Sequence, residues 1–172
     1  AQNISASRRI RQEAVLGELE SFVQDVAMCS LQSGETRETS LAKLYANHQC
    51  YMEGLFNSLL VIGQWTEESA ETYKSLLLSP VIDHTDAQLI VSALTMALLV
   101  VFDVNKWLTL VAVYEQSDDV ALRQRAIVGI VLAMPDEGVV SLFPNVKEAL
   151  LRLSSIEQVR RELMEVQIQM LY

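Results

Sequence analysis

The chain has 172 residues, half of them hydrophobic and a fifth charged, with only 6 glycines and 3 prolines. That is enough for one domain with its own core, and so apolar and turn-poor a composition argues against disorder and against a turn-rich β fold. A net charge of −9 leaves no basic footprint for a nucleic-acid backbone: between residues 67 and 115, Glu67, Glu68, Glu71, Asp83, Asp86, Asp103 and Glu115 are set against Lys74 and Lys106 alone.

From Ser7 to Leu31 the apolar residues Ile10, Val15, Leu19, Phe22, Val23 and Val26 recur at helical spacing, which predicts one long amphipathic helix. Gln32-Ser33-Gly34 supplies a turn, and Thr36 or Thr39 is the expected cap of a second helix running through Leu44, His48, Met52, Leu55 and Leu59 to Ile62. The pair is expected to form an antiparallel hairpin over 7–63. Thr66-Glu67-Glu68 opens a third helix, with a hydroxyl cap and acids at the positive end of the helix dipole; Ser79-Pro80 closes it, and Tyr73, Leu76 and Leu77 form its buried face.

Thr85-Asp86-Ala87-Gln88 has the capping-box pattern ahead of an apolar run to Phe102. The sixteen uncharged residues between Asp86 and Asp103 fall short of the roughly 20 that a bilayer span requires, so they predict a helix buried on most sides. Asp103 is expected to end that helix and cap the next, Val104 to Gln116; Ser117-Asp118-Asp119 is expected to cap another, Val120 to Ala133. A seventh helix is expected over Val139 to Leu153, with Pro144 tolerated only where a regular helix begins. Ser155-Ile156-Glu157-Gln158 is a second capping box and opens a last helix. The expectation is an all-α chain of about eight helices forming a single domain over 1–172.

Cys29 and Cys50 lie in helical segments with apolar neighbours, which predicts buried free thiols and a reducing, cytoplasmic setting. No signal-peptide pattern opens the chain. The first residue is not Met, and Gln169-Met170-Leu171-Tyr172 is an apolar, uncapped end; both point to a fragment of a longer protein.

Sliding the chain on itself by 33 residues places Leu77 on Leu110, Asp86 on Asp119, Leu89 on Leu122, Ala93 on Ala126, Leu99 on Leu132 and Asp103 on Asp136. A period of that length with one helix pair per unit is the pattern of α-solenoids, whose units bury a core only by stacking. The segment from Ser117 to Ala126, with Ile127, Ile130, Val131 and Leu132 after it and the helix Trp107 to Tyr114 before it, resembles a HEAT repeat. The resemblance covers about residues 66–172. It implies a short right-handed solenoid of stacked antiparallel helix pairs, in which Asp118 or Asp119 and Arg123 take part in an inter-repeat ladder and Val159-Arg160 repeats the step. Ile90 stands where the preceding pair would need its arginine.

Chemistry-bearing clusters are few. His48, Cys50 and Glu53 are close in sequence, but residues two apart on a helix point away from each other and no further Cys or His pair completes a metal site. His84 with Asp83 and Asp86 reads as helix-capping chemistry in the absence of a nucleophile. Arg8, Arg9 and Arg11 are diluted by Glu13, Glu18 and Glu20, and Trp65, Trp107, Tyr73 and Tyr114 fall at core spacing. No catalytic, cofactor or metal residue is assigned. The HEAT-like resemblance implies that the second helices of the pairs carry the contact face, so Gln88, Ser92, Gln124 and Arg125 are the expected partner-binding surface. The function expected is a protein- or peptide-binding scaffold, with self-association through 7–63 or the C-terminal helix as a further reading. The alternative is an enzyme or nucleic-acid-acting module on the same scaffold.

Overall fold

The computed structural model describes residues 2–155 together with 160, 161, 164, 165 and 168, with side chains from residue 14 onward. Eight helices follow in order: α1 Gln2–Ser30, α2 Glu35–Val61, α3 Glu67–Leu77, α4 His84–Val100, α5 Val104–Gln116, α6 Val120–Leu132, α7 Glu137–Leu142 and α8 Pro144–Ser155. Among the described residues there is no strand, and no helix is long and apolar enough to cross a membrane.

The helices pack in two rows. In one, α1 lies against α3, α3 against α5 and α5 against α8; in the other, α2 lies against α4 and α4 against α6. Contacts of α1 with α2, and of α5 with α4 and α6, join the rows. Every helix except α7 contributes buried apolar residues to the space between, and one continuous cluster runs from Val15 and Leu19 to Ala149 and Leu153. This arrangement is compatible with a stacked-pair solenoid. At Gly129 of α6 an added Cβ would run into the Thr95 side chain of α4 and lie 2.9 Å from Leu110 Cδ1 of α5. Only glycine admits that contact without displacement.

The capping chemistry explains most of the boundaries. Thr66 accepts from the Ser69 amide, Asp103 from those of Asn105 and Lys106, Asp119 from Ala121 and Leu122, and Asp136 from Val139. Three expectations are corrected. α2 begins at Glu35, ahead of Thr36: Gly34 takes a left-handed φ of 79°, which sets the turn without a side-chain cap, and Thr39 instead bonds the Glu35 carbonyl within the helix. α4 is capped by Asp83, which accepts from the Thr85 amide, so Thr85 is already helical. The single helix expected over 139–153 is two, α7 and α8, because Pro144 has no N–H to donate back into the preceding turn and can occupy only a first position. The expected helix from Ser155 onward, with Val159-Arg160, lies mostly outside the described residues.

The cysteines are also corrected. Cys29 is half-buried and Cys50 exposed, both free. The buried seam of α2 is Met52, Leu55 and Leu59, and Cys50, two residues before Met52, points about 200° away from that seam.

The stretch between α2 and α3 has no regular structure, so its backbone groups need other partners. The N-terminus of α5 supplies them. Asp103 Oδ2 accepts from the Trp65 amide at 2.7 Å, Asn105 Nδ2 donates to the Trp65 carbonyl at 2.8 Å, and Lys106 Nζ donates to the carbonyls of Ile62 and Gly63 at 3.1 and 3.3 Å. Lys106 and Asp103 are each 4% exposed and stand 3.8 Å apart. Burial lowers the Lys106 ammonium below its ordinary value, and the Asp103 charge and hydrogen bond partly offset this.

Candidate functional site

The four residues expected to form the partner surface come together. Arg125 of α6 donates through Nε to Gln88 Oε1 at 3.1 Å and through Nη1 to Ser92 Oγ at 2.9 Å, both on α4, and Gln124 lines the same groove of about 550 Å³. Helical spacing builds it: Gln88, Ser92, Met96 and Leu99 follow one face of α4, while Ala121, Arg125, Val128 and Leu132 follow the facing stripe of α6. Packing in the row turns these two stripes toward each other.

The apolar part of the groove is open. Met96 is 49% exposed, Leu99 56%, and Val128 and Leu132 37% each. The helix expected to be buried on most sides therefore keeps one side uncovered: α2, α5 and α6 cover Ile90, Val91, Leu94 and Leu98, while Met96, Leu99 and Val100 remain outside. Sequence reasoning found the polar end of this groove and missed its apolar end. The signal was available in the spacing of Met96 and Leu99 relative to Gln88 and Ser92, but an apolar residue on a largely buried helix reads as core. Among the described residues Arg125 is the one formal charge in the lining, and both acceptors that hold it are neutral.

Successive helices of the second row are also tied by histidine–aspartate pairs. Asp86 of α4 accepts from His48 Nε2 of α2 at 2.8 Å, and Asp119 at the start of α6 accepts from His84 Nδ1 at 2.8 Å. Asp86 and Asp119 are the two aspartates that a 33-residue shift superimposes. Each is met by a histidine from the preceding helix of its row. Arg123, which the HEAT-like resemblance would place in the inter-repeat ladder, lies over the Tyr114 ring with its guanidinium carbon 5.1 Å from the centroid.

Only the first pair is largely buried, with side-chain exposures of 12% for His48 and 8% for Asp86, and Phe22 of α1 stacks on the His48 ring at 3.5 Å. Burial raises the Asp86 carboxyl above its ordinary value, the His48 hydrogen bond and charge pull it part of the way back, and the Asp83 charge adds to the rise. At the exposed pair, burial is the largest single influence on Asp119 and pushes it up, but the Leu122 amide, His84 and the Ala121 amide together outweigh it and hold the carboxyl below its usual range.

A raised native Asp86 means that the folded chain keeps a proton which the unfolded chain has lost, so this group's contribution to stability falls as pH climbs from 3.8 through the raised native value. Asp86→Asn keeps an acceptor for His48 and does not titrate. Urea unfolding at stepped pH should show the variant gaining on the natural chain across that window. A pH-independent difference would count against this account.

The other candidates are kept apart. His48 is engaged with Asp86, Glu53 accepts from Gln49 Nε2, and Cys50 lines a separate cleft between α1, α2 and α3. Asp83 caps α4 while its neighbours His84 and Asp86 bond different helices. Among the described residues no three His, Cys, Asp or Glu side chains are placed to hold a metal ion. Trp65, Tyr73, Trp107 and Tyr114 are all buried, and Arg8, Arg9 and Arg11 lie where side chains are not described. The chain matches no protein-family model, no curated protein and no solved structure.

Proposed function

We propose that this chain is a protein- or peptide-binding module without chemistry of its own, and that the groove between α4 and α6 is its contact surface. The observation that carries the reading is Arg125, held by two neutral acceptors at the head of an open apolar stripe in a chain of net charge −9. A guanidinium fixed in this way loses little conformational freedom on meeting a carboxylate, and charge-assisted bonds contribute about 1.5–3 kcal/mol each. An exposed apolar patch with a polar end is the usual form of a docking site.

The partner that fits is an amphipathic segment. Apolar side chains three or four residues apart would cover Met96, Leu99, Val128 and Leu132, and one Asp or Glu would meet Arg125. The matching positions of Asp86 and Asp119 support treating the units as HEAT-like stacked pairs, and a reducing, cytoplasmic setting suits two free thiols.

Peptides selected from a displayed random library on the natural chain should carry that pattern. Arg125→Glu, an exposed substitution, should leave the urea midpoint nearly unchanged and weaken the best selected peptide by at least about tenfold. Equal binding to both chains, or selection of peptides without an acid, would remove the groove from consideration.

A further inference from the structure

A second concavity lies between α1, α2 and α3 and shares no lining residue with the α4–α6 groove. Its volume is about 820 Å³, within the range of roughly 300–1,000 Å³ usual for small-molecule sites. Val15 and Leu55 supply aliphatic wall, Trp65 and Tyr73 supply rings, and Tyr51 and Glu18 supply polar atoms. The two rings are stacked with centroids 4.6 Å apart and planes 17° from parallel, and both residues are almost wholly buried. They form a rigid aromatic wall.

Three features of this cleft are unlike ordinary core. The Trp65 indole N–H is buried and has no acceptor among the described residues, whereas the other indole, Trp107, donates to the Ile130 carbonyl. Burial, with the neighbouring Tyr51, pushes the Tyr73 phenol up to about 12, so it stays a neutral hydroxyl at physiological pH. Burial and the charge of Glu18 raise Tyr51 as well, which places the Glu18 carboxylate within electrostatic reach of that phenol. Among the described residues Glu18 is the one formal charge in the lining.

That combination discriminates among ligands by charge. A carboxylate or phosphate entering the cleft would meet Glu18, while the nearby Lys106 ammonium, 5.9 Å from the Trp65 ring centroid, is buried and already held by the Ile62 and Gly63 carbonyls and by Asp103. A neutral hydrocarbon would strip water from Glu18 and return nothing to it. A protonated amine answers Glu18 directly and can donate to the phenol oxygen of Tyr51 in the same lining. We propose that this cleft is a small-molecule site for an organic ammonium with an apolar body, the ammonium set against Glu18 and Tyr51 and the body against Leu55, Trp65 and Tyr73. The unpaired Trp65 N–H adds a preference for ligands that also carry an ether or hydroxyl oxygen.

The test is a titration of the nitrogen-labelled chain with phenethylammonium, followed by the two indole N–H resonances, with Trp65→Phe assigning them. Phenethylammonium should move the Trp65 resonance and leave that of Trp107 in place, and phenylpropionate, similar in shape and opposite in charge, should move neither. Glu18→Gln, a substitution at an exposed position, should weaken phenethylammonium by about tenfold or more while the spectrum otherwise stays that of the folded chain. Equal response to the anion, full affinity in Glu18→Gln, or a Trp65 resonance unmoved by millimolar phenethylammonium would each overturn the proposal.

Discussion

Asp103→Ala is expected to destabilise this fold by about 3–5 kcal/mol, a large part of the 5–15 kcal/mol typical of a domain. The carboxylate serves three partners at once. Its Oδ1 caps α5 through the amides of Asn105 and Lys106, its Oδ2 accepts from the Trp65 amide, and its charge offsets the buried Lys106 ammonium. Loss of the cap alone costs about 1 kcal/mol. The larger share comes from leaving Lys106 with a full charge and only two carbonyls, and a buried Trp65 N–H with no acceptor.

The urea midpoint measures the total, and two further variants apportion it. Asp103→Asn keeps one acceptor oxygen but loses the charge and puts an NH2 donor where the other oxygen accepted, so it should fall between the natural chain and the alanine variant. Adding Lys106→Met to Asp103→Ala removes the stranded cation and should recover part of the loss. An alanine variant within about 1 kcal/mol of the natural chain would show that the clip between α5 and the linker contributes little.

Trp107→Ala should be as damaging, at about 3–5 kcal/mol, the range for truncating a fully buried large ring. Trp107 has no exposed surface and lies in the main cluster between the two rows. Its Nε1 also donates, at 3.4 Å, to the carbonyl of Ile130 near the end of α6. Helix ends leave carbonyls without intrahelical partners, and the neighbouring carbonyls of Gly129 and Val131 are taken by the amides of Ala133 and Met134. Trp107→Phe keeps most of the apolar area and gives up that bond, so its loss should be roughly 1–2 kcal/mol. Thermal unfolding of the two variants side by side separates the packing share from the hydrogen-bond share. A phenylalanine variant as unstable as the alanine one would assign the effect to the bond.

Much of the fold was legible because it is written locally. Apolar spacing along Val15, Leu19 and Phe22, and along Tyr73, Leu76 and Leu77, depends only on the helical repeat. Caps at Thr66, Asp103 and Asp119 act over two or three residues, so the sequence names them directly. Where local signals competed, the reading erred. Gly34 displaced a threonine cap through backbone geometry, Asp83 outcompeted Thr85 two residues earlier, and Pro144 divided a stretch whose periodicity ran on through it.

The candidate groove was half legible. Gln88, Ser92, Gln124 and Arg125 were found by asking which polar residues sit on the second helices. Met96 and Leu99 were not, because exposure of an apolar residue is decided by the absence of a neighbour, and no local pattern records an absence.

Helix content and boundaries within a few residues came from the sequence by itself, since each rests on interactions within one or two turns. Tertiary structure alone decided that Lys106 reaches carbonyls more than forty residues away, that Asp86 and Asp119 each receive a histidine from the preceding helix of the row, and that α4 keeps one side open. These outcomes depend on which helix faces meet. That choice is made by the free energy of the whole packed chain and not by any segment of it.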